Sequence, residues 1–399
     1  MLTKLQIIKY ADVLLWGLKT ARKETYKRGD NILIRFDLAA LKLGEVLHKK
    51  ILEMGMNPIM RPVTSPVIEY DFYNLANKNQ LAFTAPGQKE LMENINGNIF
   101  LQAPESLTHL SQIDPKKIGK AAVARKFLRD ILNEREERGK FGWTLCVSPT
   151  EELAKHAQLT PKEYTNQIIR ACYLDKKDPV RAWKEIHKNA IAIKNWINSM
   201  DVKYYHIKGK QIDLRIAPGK KRKWIGISGH NIPSFELFLS PDWHKTEGQY
   251  YANQPSFRNG NYVEGVHLFF KKGVLKEIKA KKGLQFVQQQ LAMDRGASRV
   301  GEFSLTDKRF SRINKFMANT LFDENYGGRH GNCHVAMGSS YTDTYDGDPT
   351  KLTKEIKNTL GFNDSALHWD LVNTEEKIVQ AELTDGKKSI IYEKGQFKY

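Results

Sequence analysis

Hydrophobic residues in the first half of the chain follow two alternating patterns. Asn31–Asp37 is a short, continuous apolar run rich in Ile and Leu, which is typical of a buried strand. Leu38–Met54 then carries apolar residues at helical spacing, and Asn57-Pro58 turns the chain into Ile59-Met60. This order of strand, helix and strand predicts a β-α-β unit with a parallel sheet. Further strands are predicted at Asn98–Gln102 and Trp143–Val147.

Capping residues and prolines mark the beginnings of three helices. Ser148-Pro149-Thr150-Glu151 and Thr160-Pro161-Lys162-Glu163 both fit a capping box with Pro at the first helical position. Asp178-Pro179 opens a third helix. Its apolar residues repeat at steps of three and four, at Val180, Trp183, Ile186, Ala190, Ile193 and Ile197. Such a stripe predicts one buried face, so Trp183 and Trp196 are candidates for the core rather than for binding.

The second half is predicted to be mainly β-structure with some helices. Two hairpins are predicted, Val263–Phe270 with Val274–Ala280 and Ile378–Leu383 with Lys388–Tyr392. The second turns at Asp385-Gly386, a favoured hairpin sequence. Helices are predicted over Leu284–Met293, Ser311–Leu321 and Thr353–Leu360.

A segment at Lys210–Lys223, with Pro218-Gly219 and a basic run, indicates the crossing between two domains. We therefore predict an α/β protein, α+β overall. Residues 1–217 would form an N-terminal α/β domain with a mainly parallel sheet. Residues 218–399 would form a β-rich mixed domain that carries the catalytic chemistry.

The composition is that of an ordinary globular protein. The 399 residues are enough for two domains with full cores. No apolar run reaches the ~18 residues of a membrane span, and Met1–Tyr10 lacks the features of a secretory signal. Three scattered cysteines, Cys146, Cys172 and Cys333, do not suit a disulfide framework or a zinc ribbon. We therefore expect a cytoplasmic protein with reduced thiols and no membrane partner.

The net charge of +18 lies mostly in the first half, with +13 in residues 1–220 and +5 in residues 221–399. A basic protein can bind nucleic acid, but it can equally attract substrates that carry a free carboxylate. The basic residues are dispersed apart from Lys220-Lys221-Arg222-Lys223, which we interpret as a solvated interdomain loop. No GxGxxG motif follows the first strand, so nucleotide binding has no support. Nucleic acid is not an expected partner.

The second half places carboxylates and imidazoles in settings that suit a pair of metal ions. Carboxylate with imidazole, and without a thiolate cluster, favours Zn, Mn, Co or Mg in a working site over a structural zinc. His368 and Asp370 would share one face of a predicted strand because strand side chains alternate. Singly, each feature has a simpler interpretation, since His-x-Asp is common, Asp323-Glu324-Asn325 suits a surface turn and His334 suits a core position. The hypothesis depends on their combination in one half of the chain.

The assembled pattern over Trp224–Thr374 resembles the thermophilic metalloaminopeptidase family, which includes aminopeptidase T, aminopeptidase S and the peptidase S enzymes. The resemblance is carried by Asn231-Ile232-Pro233-Ser234-Phe235-Glu236, Gly301-Glu302, Phe322-Asp323-Glu324-Asn325, a His-x-Ala-x-Gly motif at His334 followed by Tyr341, and His368-x-Asp370. The chain departs from the family at Phe235, where Gly is frequent, and in a longer loop at Tyr326–Asn332. His330 on that loop is an alternative ligand to Glu324, although a surface position is its simpler interpretation.

The resemblance implies a metal-dependent aminopeptidase with two divalent metal ions per chain. The implied metal ligands are Glu236, Glu302, Glu324, His334, His368 and Asp370. Glu302 would bridge the two metals and accept a proton from the nucleophilic water, and Tyr341 would stabilise the oxyanion or bind a metal. The implied substrates are peptides with a free N-terminus, and the implied assembly is a homodimer.

Two other functions stay open from the sequence. The net charge of +18 is compatible with a basic nucleic-acid-binding protein or a metallonuclease. The altered loop after Glu324 is compatible with a peptide-binding relative that has lost its activity.

Overall fold

A computed structural model describes residues 1–399 as three main sheets with helices packed around them. The α-helices are α1 (Lys4–Thr20), α2 (Leu41–Glu53), α3 (Pro66–Leu75), α4 (Lys78–Leu81), α5 (Gln88–Asn94), α6 (Pro115–Ala124), α7 (Lys126–Glu137), α8 (Glu151–His156), α9 (Pro161–Ala171), α10 (Pro179–Asn198), α11 (Leu284–Leu291), α12 (Thr320–Asp323) and α13 (Lys354–Thr359). None of the helices is both long enough and apolar enough to cross a membrane.

The chain forms nineteen strands. They are β1 (Asn31–Phe36), β2 (Asn57–Pro62), β3 (Gly97–Gln102), β4 (Gly142–Val147), β5 (Val202–Gly209), β6 (Asp213–Ile216), β7 (Asn231–Ile232), β8 (Glu236–Leu239), β9 (Glu247–Ala252), β10 (Ser256–Arg258), β11 (Asn261–Val263), β12 (Val266–Lys271), β13 (Val274–Lys279), β14 (Val300–Thr306), β15 (Asn332–Gly338), β16 (His368–Asn373), β17 (Lys377–Leu383), β18 (Lys388–Glu393) and β19 (Gln396–Phe397).

The first sheet is parallel, with strand order β2-β1-β3-β4-β7. β1 is an interior strand and pairs Ile34 with Met60 on one side and with Ile99 on the other. Strands with helices on both sides of the sheet are buried on both faces, which is why β1 is a continuous apolar run. The predicted β-α-β unit and the predicted mixed α/β fold are confirmed.

The other two main sheets are antiparallel and pack face to face. The larger has the order β13-β12-β9-β6-β5-β17-β18-β19, and the smaller has the order β16-β15-β14-β8. Tyr250 on β9 joins them, because its hydroxyl donates to the carbonyl of Leu371 at 2.7 Å. Both predicted hairpins are present, as β12–β13 and β17–β18. One face of the smaller sheet is therefore covered by core, and the other is free to carry polar groups.

Helix α10 is the element that the periodicity predicted best. Trp183, Ile186, Ala190, Ile193 and Ile197 are all buried. Trp183 stacks on Phe235 with ring centroids 5.3 Å apart. Phe235 precedes strand β8, so the helix stripe supports the smaller sheet directly.

Two predictions about helices are wrong. Helix α8 begins after Thr150, whose hydroxyl accepts from the Leu153 amide at 3.2 Å, so Pro149 lies outside the helix. The helix predicted over Ser311–Leu321 is absent, and only α12 forms there. Long-range contacts replace local helical bonds in this segment, since the hydroxyl of Tyr164 donates to the Met317 carbonyl at 2.8 Å.

The sheets connect the predicted domains in both directions. β5 pairs with β17 in the larger antiparallel sheet, whereas β7 pairs with β4 in the parallel sheet. One continuous hydrophobic core runs from Tyr10 to Phe397. A domain boundary between residues 217 and 218 stays a prediction.

Candidate metal centre

The smaller antiparallel sheet gathers most of the predicted ligands on its open face. Glu302 on β14, Ala336 on β15 and Asp370 on β16 lie side by side in register. His334 lies two residues before Ala336 and His368 two residues before Asp370, so both share this face. Glu236, at the start of β8, is added from the other edge of the sheet. Strand alternation thus directs all five side chains to one side.

Five predicted ligands come within a few ångströms of one another. The Nε2 atom of His334 lies 3.0 Å from Glu302, 3.3 Å from Glu236 and 3.6 Å from Asp370. The Nε2 atom of His368 lies 3.4 Å from Asp370 and 3.8 Å from Glu302. These side chains form two groups whose ligand atoms are close enough to hold a metal ion. One group is Glu236, Glu302 and His334, and the other is Glu302, His368 and Asp370. Glu302 belongs to both groups.

Glu324 reaches the same region from α12 rather than from the sheet. It is buried, and its Oε1 accepts from the Asn231 side-chain amide at 3.1 Å. Asn325 donates to the Leu321 carbonyl at 3.0 Å and accepts from the Phe235 amide at 2.5 Å. The Asp-Glu-Asn segment is therefore a buried turn, not a surface turn. His330 does not line the cleft that Glu324 lines.

Tyr341 follows β15 and stands at the edge of the cluster. Its ring centroid lies 4.7 Å from that of His368, and its backbone amide donates to the hydroxyl of Ser240 at 2.8 Å. The side chain is 37% exposed and lines the cleft. Burial in the cleft, and then the negative charges of Glu302 and Asp370, raise the pKa of Tyr341 well above its usual value. The phenol is therefore a proton-bearing group that faces incoming molecules.

The charges of the cluster act strongly on one another. Burial raises the pKa of Glu236 to about 7, against the opposing effect of His334. Burial and then the carboxylates of Glu236 and Asp370 raise the pKa of Glu324 well above its usual value. Burial lowers the pKa of His334, but the surrounding carboxylates outweigh it and raise that pKa to about 9. Four carboxylates and two imidazoles in one small volume thus concentrate negative charge there.

The donor set fits divalent cations. The Nε2 atom of His334 points at the carboxylates, while its buried Nδ1 atom has no hydrogen-bond partner. Oxygen and nitrogen donors without thiolate are compatible with Zn, Co, Mn or Mg. Buried negative charge is costly unless it is paired, and divalent cations would pair it.

The chain matches the model of the thermophilic metalloprotease family (M29) over residues 3–397. It belongs to this family. The metallopeptidase is 23% identical to aminopeptidase PepS of Streptococcus thermophilus over 394 residues, which cover 92% of this chain and 93% of that protein. It is 30% identical to aminopeptidase T of Thermus aquaticus over 308 residues, or 72% of this chain and 73% of that protein.

The metallopeptidase also shares its fold with a solved structure. Wild-type AmpT from Thermus thermophilus matches with a TM-score of 0.78 and 21% sequence identity, covering 98% of this chain and 99% of that chain. The family and fold class expected from the sequence are confirmed.

Sequence reasoning missed two residues that support the cluster of this metallopeptidase. The hydroxyl of Ser304 donates to the Glu236 carboxylate at 2.9 Å. Arg258 donates to the His368 carbonyl at 2.9 Å. Burial favours the neutral form of Asp370, yet His368, His334 and then Arg258 lower its pKa below the usual range. The position of Ser304 two residues after Glu302 was a usable signal, whereas nothing local marks Arg258.

Helix α7, in the first half of the metallopeptidase, lines the cleft that contains the ligand cluster, and no sequence motif predicted this. The ligand cluster lies in a cleft of about 1780 Å³, and α7 lines part of it. Glu136 on α7 lies 2.7 Å from the Nε2 atom of His230, and Arg129 on α7 donates to the Ala366 carbonyl at 3.3 Å. The cleft therefore lies between the parallel sheet region and the smaller antiparallel sheet.

Proposed function

We propose that this metalloaminopeptidase hydrolyses the first peptide bond of unblocked peptides with the help of two divalent cations. The proposed metal ligands are Glu236, Glu302, Glu324, His334, His368 and Asp370. One observation carries the proposal, which is that the two metal-compatible groups of side chains share Glu302. A carboxylate common to two groups is suited to bridge two ions. Zn, Co, Mn and Mg are all compatible with these donors.

The residues divide the chemistry between them. When bound, two divalent cations supply Lewis-acid activation of water and neutralise the charge of the tetrahedral oxyanion. Glu302 belongs to both groups and would serve as the proton acceptor. Tyr341 faces the cleft with its proton retained, and it donates to the oxyanion. A carboxylate near the cluster, or a cation when bound, would hold the free α-amine of the substrate and so restrict cleavage to the first residue.

We further propose a cytoplasmic homodimer. The three cysteines are free and buried, which suits a reducing compartment. The homodimer rests on the family resemblance, and light scattering of the purified chain tests it.

The proposal is tested by metal analysis together with hydrolysis of leucine p-nitroanilide. Wild type is expected to hold close to two metals per chain and to be inactivated by a chelator. Glu302→Gln is expected to lose about 10²–10⁴-fold in rate and part of its metal. Glu355→Gln is the matched control, because Glu355 is exposed and lines the same cleft with no ion-pair partner.

Two outcomes contradict the proposal. Fewer than one metal per chain, with no hydrolysis of any unblocked peptide after reconstitution, removes the peptidase function. Two metals per chain without hydrolysis favours an inactive peptide-binding relative instead.

A further inference from the structure

Two arginines in the turn before strand β14 face the cleft without a hydrogen-bond or ion-pair partner. Arg295 and Arg299 both line the cleft, and neither guanidinium makes a hydrogen bond or an ion pair. Lys126 in the same cleft is already engaged, since it lies 2.9 Å from Asp364. Burial, and then the like charge of Arg295, lower the pKa of Arg299 against the opposing effect of Asp294. An unshared pair of guanidinium groups is a candidate site for an anion.

The turn that carries these arginines is firmly built. Asp294 accepts from the amides of Gly296 and Ala297, both at 2.9 Å. Asn363 donates to the Gly296 carbonyl at 2.8 Å. A side chain at position 296 would collide with the Asp364 carbonyl, at 2.0 Å from its Cβ. The backbone that presents the two guanidinium groups is therefore fixed before any ligand arrives.

Arg299 is also oriented by an aromatic ring. Its guanidinium carbon lies 3.6 Å from the ring centroid of Trp243, which stacks in turn on His244. Stacking on indole holds the planar guanidinium in one orientation while its N–H groups stay free to donate. Less side-chain freedom is then lost when an anion binds.

The arginine pair lies on the chain shortly before a proposed metal ligand. Arg299 precedes Glu302 by three residues, and both line the same cleft. The strand register shifts between Val300 and Glu302, and such a bulge lets both side chains face the cleft. A peptide held at the metal centre would therefore share its cleft with the two guanidinium groups.

We propose that Arg295 and Arg299 form a subsite that binds a carboxylate of the peptide substrate. The inference rests on the proposed aminopeptidase function. A carboxylate offers two coplanar oxygens that match the guanidinium fork. The carboxylate could come from the C-terminus of the peptide or from an acidic side chain at its third residue.

The test measures binding in the metal-loaded Glu302→Gln background, so that it does not depend on turnover. Calorimetry compares trialanine, trialanine amide and the amide of alanyl-alanyl-glutamate. Trialanine is expected to bind about 10- to 100-fold more tightly than its amide, the effect of one or two charge-assisted hydrogen bonds. Adding Arg299→Met or Arg295→Met is expected to bring this ratio close to one. Arg138→Met is the matched control, because Arg138 lines the cleft but pairs with Glu134.

The outcomes separate the inference from the proposed function. Equal binding of all three peptides overturns the inference, as does a high ratio that survives both arginine substitutions. Tight binding of only the glutamate-containing amide supports the subsite and assigns it to acidic side chains rather than to the C-terminus. If wild type does not hydrolyse unblocked peptides but trialanine still binds more tightly than its amide, the proposed peptidase function is wrong and the carboxylate subsite is supported.

Discussion

Asn325 connects the two parts of the ligand set at the scale of a single residue. Its side chain accepts from the amide of Phe235, the neighbour of Glu236, and donates to the Leu321 carbonyl one turn before Glu324. It is fully buried. Both proposed ligands therefore depend on one amide group for their backbone positions.

Asn325→Ala is expected to lower the free energy of unfolding by about 1–3 kcal/mol, because the buried Phe235 amide loses its acceptor. We also expect weaker metal binding, since Glu236 and Glu324 lose a common support. Chemical denaturation and metal titration measure the two effects. Asn74→Ala on the exposed side of α3 is the control. An Asn325→Ala protein as stable as wild type, with full metal content, would contradict this account.

At the scale of elements, hydrophobic periodicity predicted a helix correctly where one helical face is buried along its whole length. It failed where side chains from elsewhere in the chain accept the backbone hydrogen bonds. α10 keeps its stripe because one helical face meets the core along its whole length. The Ser311–Leu321 segment instead takes an irregular path, and its amides at Met317 and Asn319 donate to the Asp323 carboxylate at 2.8 Å and 3.0 Å. Side-chain acceptors of this kind compete with helix formation.

The α10 stripe makes a prediction with an internal control. Ile193 is 2% exposed, whereas Ile191 on the same helix is 40% exposed. Ile193→Ala is expected to lower the free energy of unfolding by about 2–5 kcal/mol through lost contacts and a cavity. Ile191→Ala should cost clearly less, because its side chain is already solvated. Urea denaturation of both variants checks this, and equal losses would show that the face is assigned wrongly.

At the scale of the whole molecule, α7 joins the first half of the chain to the catalytic half across the cleft. Glu137 lies 3.0 Å from Lys357, and Glu136 lies 2.7 Å from His230. Burial lowers the pKa of His230, but the hydrogen bond that its Nε2 donates to the Glu136 carboxylate outweighs burial and raises that pKa above the ordinary value. The charged imidazole thus stabilises the folded chain where it is protonated.

This link predicts a pH-dependent part of stability. A raised folded-state pKa means that the contribution is complete below the unfolded pKa of about 6.5 and is lost as pH rises through the folded pKa. His230→Gln is expected to lower the free energy of unfolding by about 1–2 kcal/mol at pH 6 and by less at pH 9. Chemical denaturation at both pH values measures this. A double-mutant cycle with Glu136→Gln should show coupling at pH 6, and its absence would assign the effect to other neighbours.

Much of the site could be predicted from the sequence, because its signals are local. His368 and Asp370 share a strand face by alternation, and Glu302, Ser304 and Thr306 do the same on β14. Arg258 and α7 gave no such signal, since each reaches the cleft through contacts with residues far away in the chain.

The sequence by itself determined the elements with a strong local period, the mixed α/β class, the family and the candidate ligand set. It could do so because alternation, capping and motif spacing act over a few residues. Only the tertiary structure decided that Glu302 belongs to both ligand groups, that Glu324 is buried beside Asn231, and that one core spans both halves. These features depend on strand register and packing between distant segments, which the order of residues along one segment does not contain.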